Sequence, residues 1–325
     1  MSVRVIVPDF LAQSLAAGVA AAWPGAQVVA IDADGRLSGP ADDAVALFRY
    51  FPNDRFASAF KGERIDALID QLPRLRLVQS HSVGVDGLLT PRLQSSHAVL
   101  CNAAPLHTAA MAETVMALIL AAAKRIPFHV RNQQQESWQR AAKLELRGST
   151  VTIVGFGRIG SEAAKLCAAF GMRVIGVRRS PPASVPAHVD RIVAPDGLDE
   201  ALAQADWVVL ALPLSEGTHG LMSAARLDCL KPTACLVNVA RGDVVDEAAL
   251  VARLGDGRLA FACLDVFQRE PLPPGHPFWR MPNVLVTPHN SASSQFMESR
   301  VIALFLDNLG RLARAEPLLN RVERA

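Results

Sequence analysis

The sequence predicts an α/β protein made of two doubly wound parallel sheets, and three observations carry that prediction. The chain has 325 residues, which at roughly 150 per domain makes two. Short apolar runs alternate with longer helical patterns from end to end, the rhythm of βαβ units. That rhythm stops after residue 101 and starts afresh at residue 151.

In the first series Val3–Val7, Gln27–Ile31, Val45–Phe48, Leu75–Gln79 and Ala98–Cys101 read as strands, with helices near 11–22 and 61–71. An Ala-rich helix follows, about Thr108 to Lys124, ended near Pro127. The segment 128–147 is polar, with a single tryptophan, Trp138. The second series of strands is Val151–Val154, Arg173–Val177, Arg191–Val193, Trp207–Leu212, Ala234–Val239, Ala260–Val266 and Asn283–Thr287. A last helical pattern, about 293–313, comes after the second sheet is complete. Such a left-over amphipathic helix is expected to pack back on the first unit, so that the chain crosses twice between two domains flanking a cleft.

Composition narrows the function. Half of the residues are apolar and one fifth charged, which is globular and argues against disorder. Lys+Arg 33 against Asp+Glu 31 leaves +2, so no charge excess points to nucleic acid or an anionic membrane. The most apolar run, Thr114 to Ala123, is ten residues, against roughly 20 for a bilayer span. The N-terminus reads as a strand and lacks the apolar core and cleavage site of a signal peptide. Five cysteines (101, 167, 229, 235, 263) show no C-x-x-C spacing. They read as reduced, mostly buried thiols, with no metal site expected. A cytoplasmic protein is the expectation.

Val151–Val154 runs straight into Gly155-Phe156-Gly157-Arg158-Ile159-Gly160, and a helical pattern follows. Gly155 permits the tight turn, Gly157 lets backbone approach a pyrophosphate, and Gly160 lets helix pack on strand. The helix N-terminus offers N–H groups and a positive dipole end to the phosphates. G-x-G-x-x-G alone is weak, but between a strand and a helix it is the dinucleotide fingerprint of a Rossmann unit. The next strand ends at Val177, where an NAD site usually has an acid. Here Arg178-Arg179-Ser180 follow, twenty-three residues after the first glycine. Guanidinium forks can bind the 2′-phosphate that an acid would repel, so NADP is favoured, with NAD as the alternative. Two solvated surface arginines would be the plainer explanation.

Ligands in open α/β sheets bind at the carboxyl ends of the strands. Strand 234–239 leads to Arg241, strand 260–266 to Glu270, and strand 283–287 to His289. Singly, each could be a strand cap, a loop charge or a structural histidine. Together with a dinucleotide site they suit one chemistry. Hydride transfer to a ketone needs a proton donor at the developing alkoxide, and a histidine oriented by a carboxylate can provide it. An arginine fork can hold a 2-oxo acid's carboxylate and polarise its carbonyl.

These residues resemble a family. Leu146–Val151 leading into GFGRIG, Leu212-Pro213-Leu214 with Thr218, NVARGDVVDE at 238–247, LDVF at 264–267 with Glu270-Pro271-Leu272, and NVLVTPH at 283–289 are similar to the D-2-hydroxyacid dehydrogenases. The resemblance spans nearly the whole chain. It implies His289 as acid/base, Glu270 as its partner and Arg241 as ligand of the substrate carboxylate and carbonyl. His81–Asp86 matches the segment whose backbone N–H groups hold that carboxylate, pointing to Val83 and Gly84. Cofactor contacts implied are the glycine loop with Phe156, Arg158 and Ile159, then Arg178, Arg179, Ser180, Leu212, Pro213, Thr218, Val239, Ala240, Asp265 and Ala292. Asp265 would lie near the nicotinamide carboxamide.

The implied fold is a flavodoxin-like substrate domain, 1–101 plus 290–325, around a Rossmann cofactor domain, 102–289. Segment 128–147 resembles the family's dimerisation arm, which implies a homodimer with Trp138 as an anchor. Two departures stand out. Arg178 replaces the usual acid, as in the family's NADP-preferring glyoxylate/hydroxypyruvate reductases, and Pro105 stands where a hinge glycine is common.

The expected activity is therefore NADP-preferring reduction of small 2-oxo acids, glyoxylate and hydroxypyruvate first. A formate dehydrogenase relative is a second reading, against which Glu270 counts, because glutamine is typical there. A dinucleotide-sensing protein like the C-terminal-binding corepressors is a third, from a different class, which a turnover assay would separate. Tyr50, Phe51 and Pro52 could form a wall of the substrate pocket or belong to the core.

Overall fold

A computed structural model describes residues 3–51 and 62–323, so Pro52 lies outside the described residues. The chain divides into two compact units, 1–107 with 295–325, and 108–294. These divisions fall a few residues later than the expected 101/102 and 289/290.

In unit 1, β1 (Val3–Pro8), β2 (Ala26–Ile31), β3 (Ala44–Arg49), β4 (Leu77–Ser80) and β5 (Val99–Cys101) form one sheet in the order β2-β1-β3-β4-β5. Every pairing is parallel, so both faces must be covered and both must be apolar. Alternation divides each strand between two layers. Val5 and Val7 pack with Leu11, Leu15 and Phe305 on one face, whereas Ile6 packs with Ile65, Leu68 and Leu72 on the other. The first layer is closed by helices Asp9–Ala22 and Met297–Ala313, where the rings of Phe48 and Phe305 stack at 4.4 Å. The second is closed by helix Glu63–Asp70. Beyond β5, Ala104–His107 makes one 3₁₀ turn with Pro105 inside it.

Unit 2 has a seven-stranded parallel sheet: β6 (Thr150–Val154), β7 (Arg173–Val177), β8 (Arg191–Val193), β9 (Trp207–Leu210), β10 (Cys235–Asn238), β11 (Phe261–Leu264) and β12 (Val284–Val286). The order β12-β11-β10-β9-β6-β7-β8 reverses at β6, between β7 and β9. That reversal creates a crevice at the carboxyl end of β6, the place where such sheets bind ligands. By length and composition the stretch Ala104–Ala123 could cross a membrane, but half of it is buried inside the fold. Its helix, Thr108–Ala123, packs against helix Arg158–Ala169.

One element departs from expectation. Pro127 does not end a helix but helps start one, Ile126–Gln134, after Arg125 adopts φ 57°. Proline suits a first helical turn because its missing N–H would be unpaired there anyway. Beyond this helix Trp138 is 94% exposed. All five cysteines are free; four are buried and Cys229 is exposed.

A buried amide ties unit 1 together. Asn308 on the C-terminal helix donates from Nδ2 to Gln79 Oε1 at 2.7 Å and accepts at Oδ1 from Leu319 N–H at 2.7 Å. Asn308→Leu leaves Gln79 Oε1 and the Leu319 N–H without these partners, so it should cost about 2–4 kcal/mol. Urea unfolding of the variant checks this, and a loss below 1 kcal/mol would show that the amide bridge contributes little.

Candidate active site

At the end of β6, Gly155 sits at φ +98°, and a Cβ there would fall 2.5 Å from the Ala211 carbonyl oxygen. Only glycine fits. The N–H groups of Gly155 and Phe156 both donate to Val177 O, at 3.0 and 2.9 Å, which pins the turn to β7. Phe156 itself turns inward, buried against Gly176, so it offers only backbone outward. Gly157 caps helix Arg158–Ala169 and is exposed, with nothing within 4 Å of where a Cβ would stand. Open space thus lies before a helix N-terminus whose first N–H groups have no intrahelical partner. Gly160 packs the helix on the turn: a Cβ there would meet Gly155 O at 2.3 Å. Arg158 is exposed and Ile159 half-buried on the first turn.

Arg178, Arg179 and Ser180 follow β7, all exposed. The Arg178 N–H donates to Val193 O at 3.1 Å. Neither guanidinium has a hydrogen-bond or ion-pair partner among the described residues. Beyond β9, Leu212 is half-buried and Pro213 exposed. The Thr218 hydroxyl donates to Pro213 O at 2.8 Å and accepts from Ser215 N–H at 2.8 Å, so it is engaged in folding its own loop. Val239 and Ala240 are buried, and the Ala240 N–H goes to Asn238 Oδ1. Ala292 is half-buried beyond the last strand.

The three chemical candidates meet at the carboxyl ends of β10, β11 and β12. His289 Nδ1 and Glu270 Oε2 are 2.7 Å apart. Glu270 Oε1 also accepts from Phe267 N–H at 3.0 Å, which fixes the carboxyl plane. Arg241 donates from Nη1 to Ala240 O at 2.7 Å. The following Gly242 lies so close to the β11 loop that a Cβ would stand 1.9 Å from the carbonyl carbon of Phe267. This contact presses the Arg241 loop onto the Glu270 loop. Burial alone would raise the Glu270 carboxyl. The hydrogen bond and charge of His289, the Phe267 N–H and the Arg241 charge outweigh burial and hold it below 4.5.

The His289 loop rests on Asp265. The resemblance places that side chain at the nicotinamide, but its residue is 0% exposed. Its carboxylate accepts from Thr287 Oγ1 at 2.6 Å, Asn290 N–H at 3.1 Å and Ser291 N–H at 3.0 Å. The Asp265 carbonyl takes the His289 N–H at 2.8 Å. The clamp holds His289 at φ +49°, a left-handed conformation that costs a non-glycine residue roughly 1–2 kcal/mol. Such strain persists only where the surrounding structure over-determines it. Sequence reasoning singled out Asp265 but not this work, because its partners are mostly backbone N–H groups.

In unit 1, Val83 and Gly84 are half-buried, and their N–H groups have no partner among the described residues. Tyr50 is buried, its hydroxyl 3.2 Å from Glu298 Oε2, and Phe51 is half-buried with its ring 4.4 Å from that of His81. Arg49 went unnoticed in the sequence. Its guanidinium is buried, donates to Ser80 Oγ at 3.2 Å and lies over the Phe51 ring. No cluster of three or more His, Cys, Asp or Glu with metal-holding geometry occurs among the described residues.

The Glu270 shift has a measurable sign. A carboxyl whose folded pKa lies below its unfolded value stabilises fully above the unfolded value and loses that contribution as pH falls through the folded one. Wild type and Glu270→Gln should therefore differ in urea stability above about pH 5 and converge in acid. A gap of constant size across the acid range would detach the shift from the pairing.

With this geometry in hand, known proteins give a consistent comparison. A model of the NAD binding domain of D-isomer specific 2-hydroxyacid dehydrogenases matches residues 116–291. Glyoxylate reductase of Aeropyrum pernix is 35% identical over 272 residues, 81% of this chain and 81% of that protein. The structure of a D-isomer specific 2-hydroxyacid dehydrogenase from Xanthobacter autotrophicus Py2, in complex with NADPH and MES, superposes with TM-score 0.81 at 32% identity, covering 99% of this chain and 98% of that one. The NADPH-dependent glyoxylate/hydroxypyruvate reductase of Sinorhizobium meliloti, in complex with NADP and sulfate, gives 0.79 at 30%, covering 99% and 98%. By sequence and by fold, the chain belongs to the D-isomer specific 2-hydroxyacid dehydrogenase family.

Proposed function

We propose that this protein is an NADP-preferring reductase of small 2-oxo acids, with glyoxylate and hydroxypyruvate as first substrates. The observation that carries the proposal is the 2.7 Å His289–Glu270 pair at the same sheet edge as Arg241. The relatives named for glyoxylate and hydroxypyruvate reduction support the substrate class.

The residues present fit a dinucleotide. Open space before Gly157 and the helix N-terminus suit a pyrophosphate, and two exposed arginines suit a 2′-phosphate. Gly155 to Gly160, Arg178, Arg179, Ser180, Leu212, Pro213, Thr218, Val239, Ala240 and Ala292 would hold it, with Asp265 acting through the loop it clamps. When bound, the cofactor's nicotinamide supplies or accepts the hydride. His289, with Nδ1 directed at Glu270, delivers a proton from Nε2 to the developing alkoxide and takes it back in oxidation. Arg241 grips the carboxylate and polarises the carbonyl. In unit 1, the N–H groups of Val83 and Gly84 are offered to the substrate's carboxylate.

Segment 126–147 carries the exposed apolar side chains Ile126, Val130, Trp138 and Leu144, which supports a homodimer formed through this arm. The free thiols agree with a cytoplasmic location. Steady-state kinetics on a panel of 2-oxo acids with NADPH and NADH test the whole reading, and absence of turnover on every member would end it.

Two variants test its parts. His289→Gln should lower kcat by about 10² or more, the usual worth of a positioned proton donor, with NADPH affinity little changed. Near-normal turnover would remove His289 from the chemistry. Wild type should favour NADPH over NADH in kcat/KM by at least about tenfold, since a charge-assisted hydrogen bond contributes roughly 1.5–3 kcal/mol. Arg178→Asp should abolish that preference, mainly through KM for NADPH. Equal kcat/KM for the two cofactors in the wild type would mean that the arginines point only to solvent.

A further inference from the structure

The loop after β4 presents two N–H groups, of Val83 and Gly84, with no partner among the described residues, and the reason lies on its other side. Three consecutive carbonyls there are held: His81 O accepts from His107 Nε2 at 2.7 Å, Ser82 O from Ala103 N–H at 3.1 Å and Val83 O from Asn102 Nδ2 at 3.2 Å. All three donors come from 102–107, between β5 and the point where the chain leaves unit 1. A peptide unit is planar and trans, so fixing its C=O fixes the next residue's N–H in the opposite direction. The bond to Ser82 O therefore aims the Val83 N–H, and the bond to Val83 O aims the Gly84 N–H. The bond to His81 O aims the Ser82 N–H, which ends on Ser80 Oγ at 3.2 Å and closes the loop's first turn.

Asn102 and His107 are themselves well held. His107 is 4% exposed. Asn102 Oδ1 accepts from Ala104 N–H at 3.2 Å and its N–H donates to Asn320 O at 3.0 Å. A donor anchored this way cannot follow a carbonyl that drifts, so the loop is pre-organised before any ligand arrives. Pre-organisation of this kind lowers the ordering cost of binding.

We infer that Asn102 and His107 are positioning residues for a substrate carboxylate: Asn102 aims the Gly84 N–H through Val83 O, and His107 fixes, through His81 O, the first turn from which the Val83 and Gly84 N–H groups follow. The inference rests on the proposed reductase reading. Neither side chain touches substrate; each acts through a loop carbonyl. The effect belongs to carboxylate binding and leaves the dinucleotide alone.

The probe is oxamate, an unreactive mimic of a 2-oxo acid, measured as a competitive inhibitor alongside KM for glyoxylate. His107→Leu should raise both the oxamate Ki and KM by about tenfold, the scale of one well-aimed hydrogen bond. Saturated kcat should stay within about twofold, and NADPH affinity by fluorescence titration should match wild type, which also reports that the chain is folded. His107→Gln, whose amide nitrogen can stand near the place of Nε2, should restore most of the loss; a purely packing role for the ring would not predict that. Asn102→Ala tests the neighbouring carbonyl independently and should raise the same Ki. An unchanged oxamate Ki in His107→Leu or in Asn102→Ala overturns the inference, as does a Gln variant no better than Leu. Wild type that neither reduces glyoxylate nor binds oxamate would instead sink the reductase reading beneath it.

Discussion

A carboxylate buried from solvent organises this molecule's reactive edge. Asp265 lies at the end of β11 with 0% exposure, where an unpartnered polar group would be costly. The Thr287 hydroxyl and two successive N–H groups, Asn290 and Ser291, offset that cost. They belong to the loop that must reverse direction after β12. Meeting the demand of one buried group thus fixes the path of five residues, 287–291, and His289 lies in the middle of them. The left-handed backbone of His289 is the by-product of that path. Its imidazole then emerges where Glu270 Oε2 waits at 2.7 Å. Remove the buried acid and the loop has no reason to keep this shape.

The sheets explain why such loops gather where they do. Parallel strands all end at the same edge, so β10, β11 and β12 deliver Arg241, Asp265 with Glu270, and His289 side by side. Strand spacing brings these loops near one another, and side-chain volume limits how close they come. Gly242 removes that limit, since any Cβ would collide with the Phe267 carbonyl. Gly155 does the same at the reversal between β6 and β9. Both glycines therefore govern distances between loops more than the flexibility of either loop.

Much of this was legible in the sequence, and what was not has physical causes. Every strand was marked by an apolar run, because a parallel sheet covered on both faces leaves no polar alternation to blur it. Arg241, Glu270 and His289 stand out in the sequence because each lies in the loop that follows a strand, and a parallel sheet gathers those loops at one edge. Helix Ile126–Gln134 is not legible because Pro127 reads as a stop, when a proline in the first turn is a start. The Asp265 clamp is hidden because two of its three partners are backbone N–H groups more than twenty residues away, and any sequence carries N–H groups there. Arg49 was hidden inside an apolar run, where its charge looked like the strand's end. It is buried, and burial lowers its pKa to about 10.

The two units differ in the kind of charge gathered in their loops. Around loop 81–84 burial moves His81 and Tyr50 away from neutrality, while Arg49, lowered to about 10, still lies above it. Burial lowers His81 to about 4, helped by the Arg49 charge, and burial raises Tyr50 to about 12, helped by Glu298. Between about pH 5 and 9, His81, Tyr50 and Arg49 therefore keep a single protonation state. The Val83 and Gly84 N–H groups of the same loop do not titrate at all. In unit 2 a histidine and a carboxyl share a hydrogen bond within reach of an arginine's charge, which holds the carboxyl below its usual range.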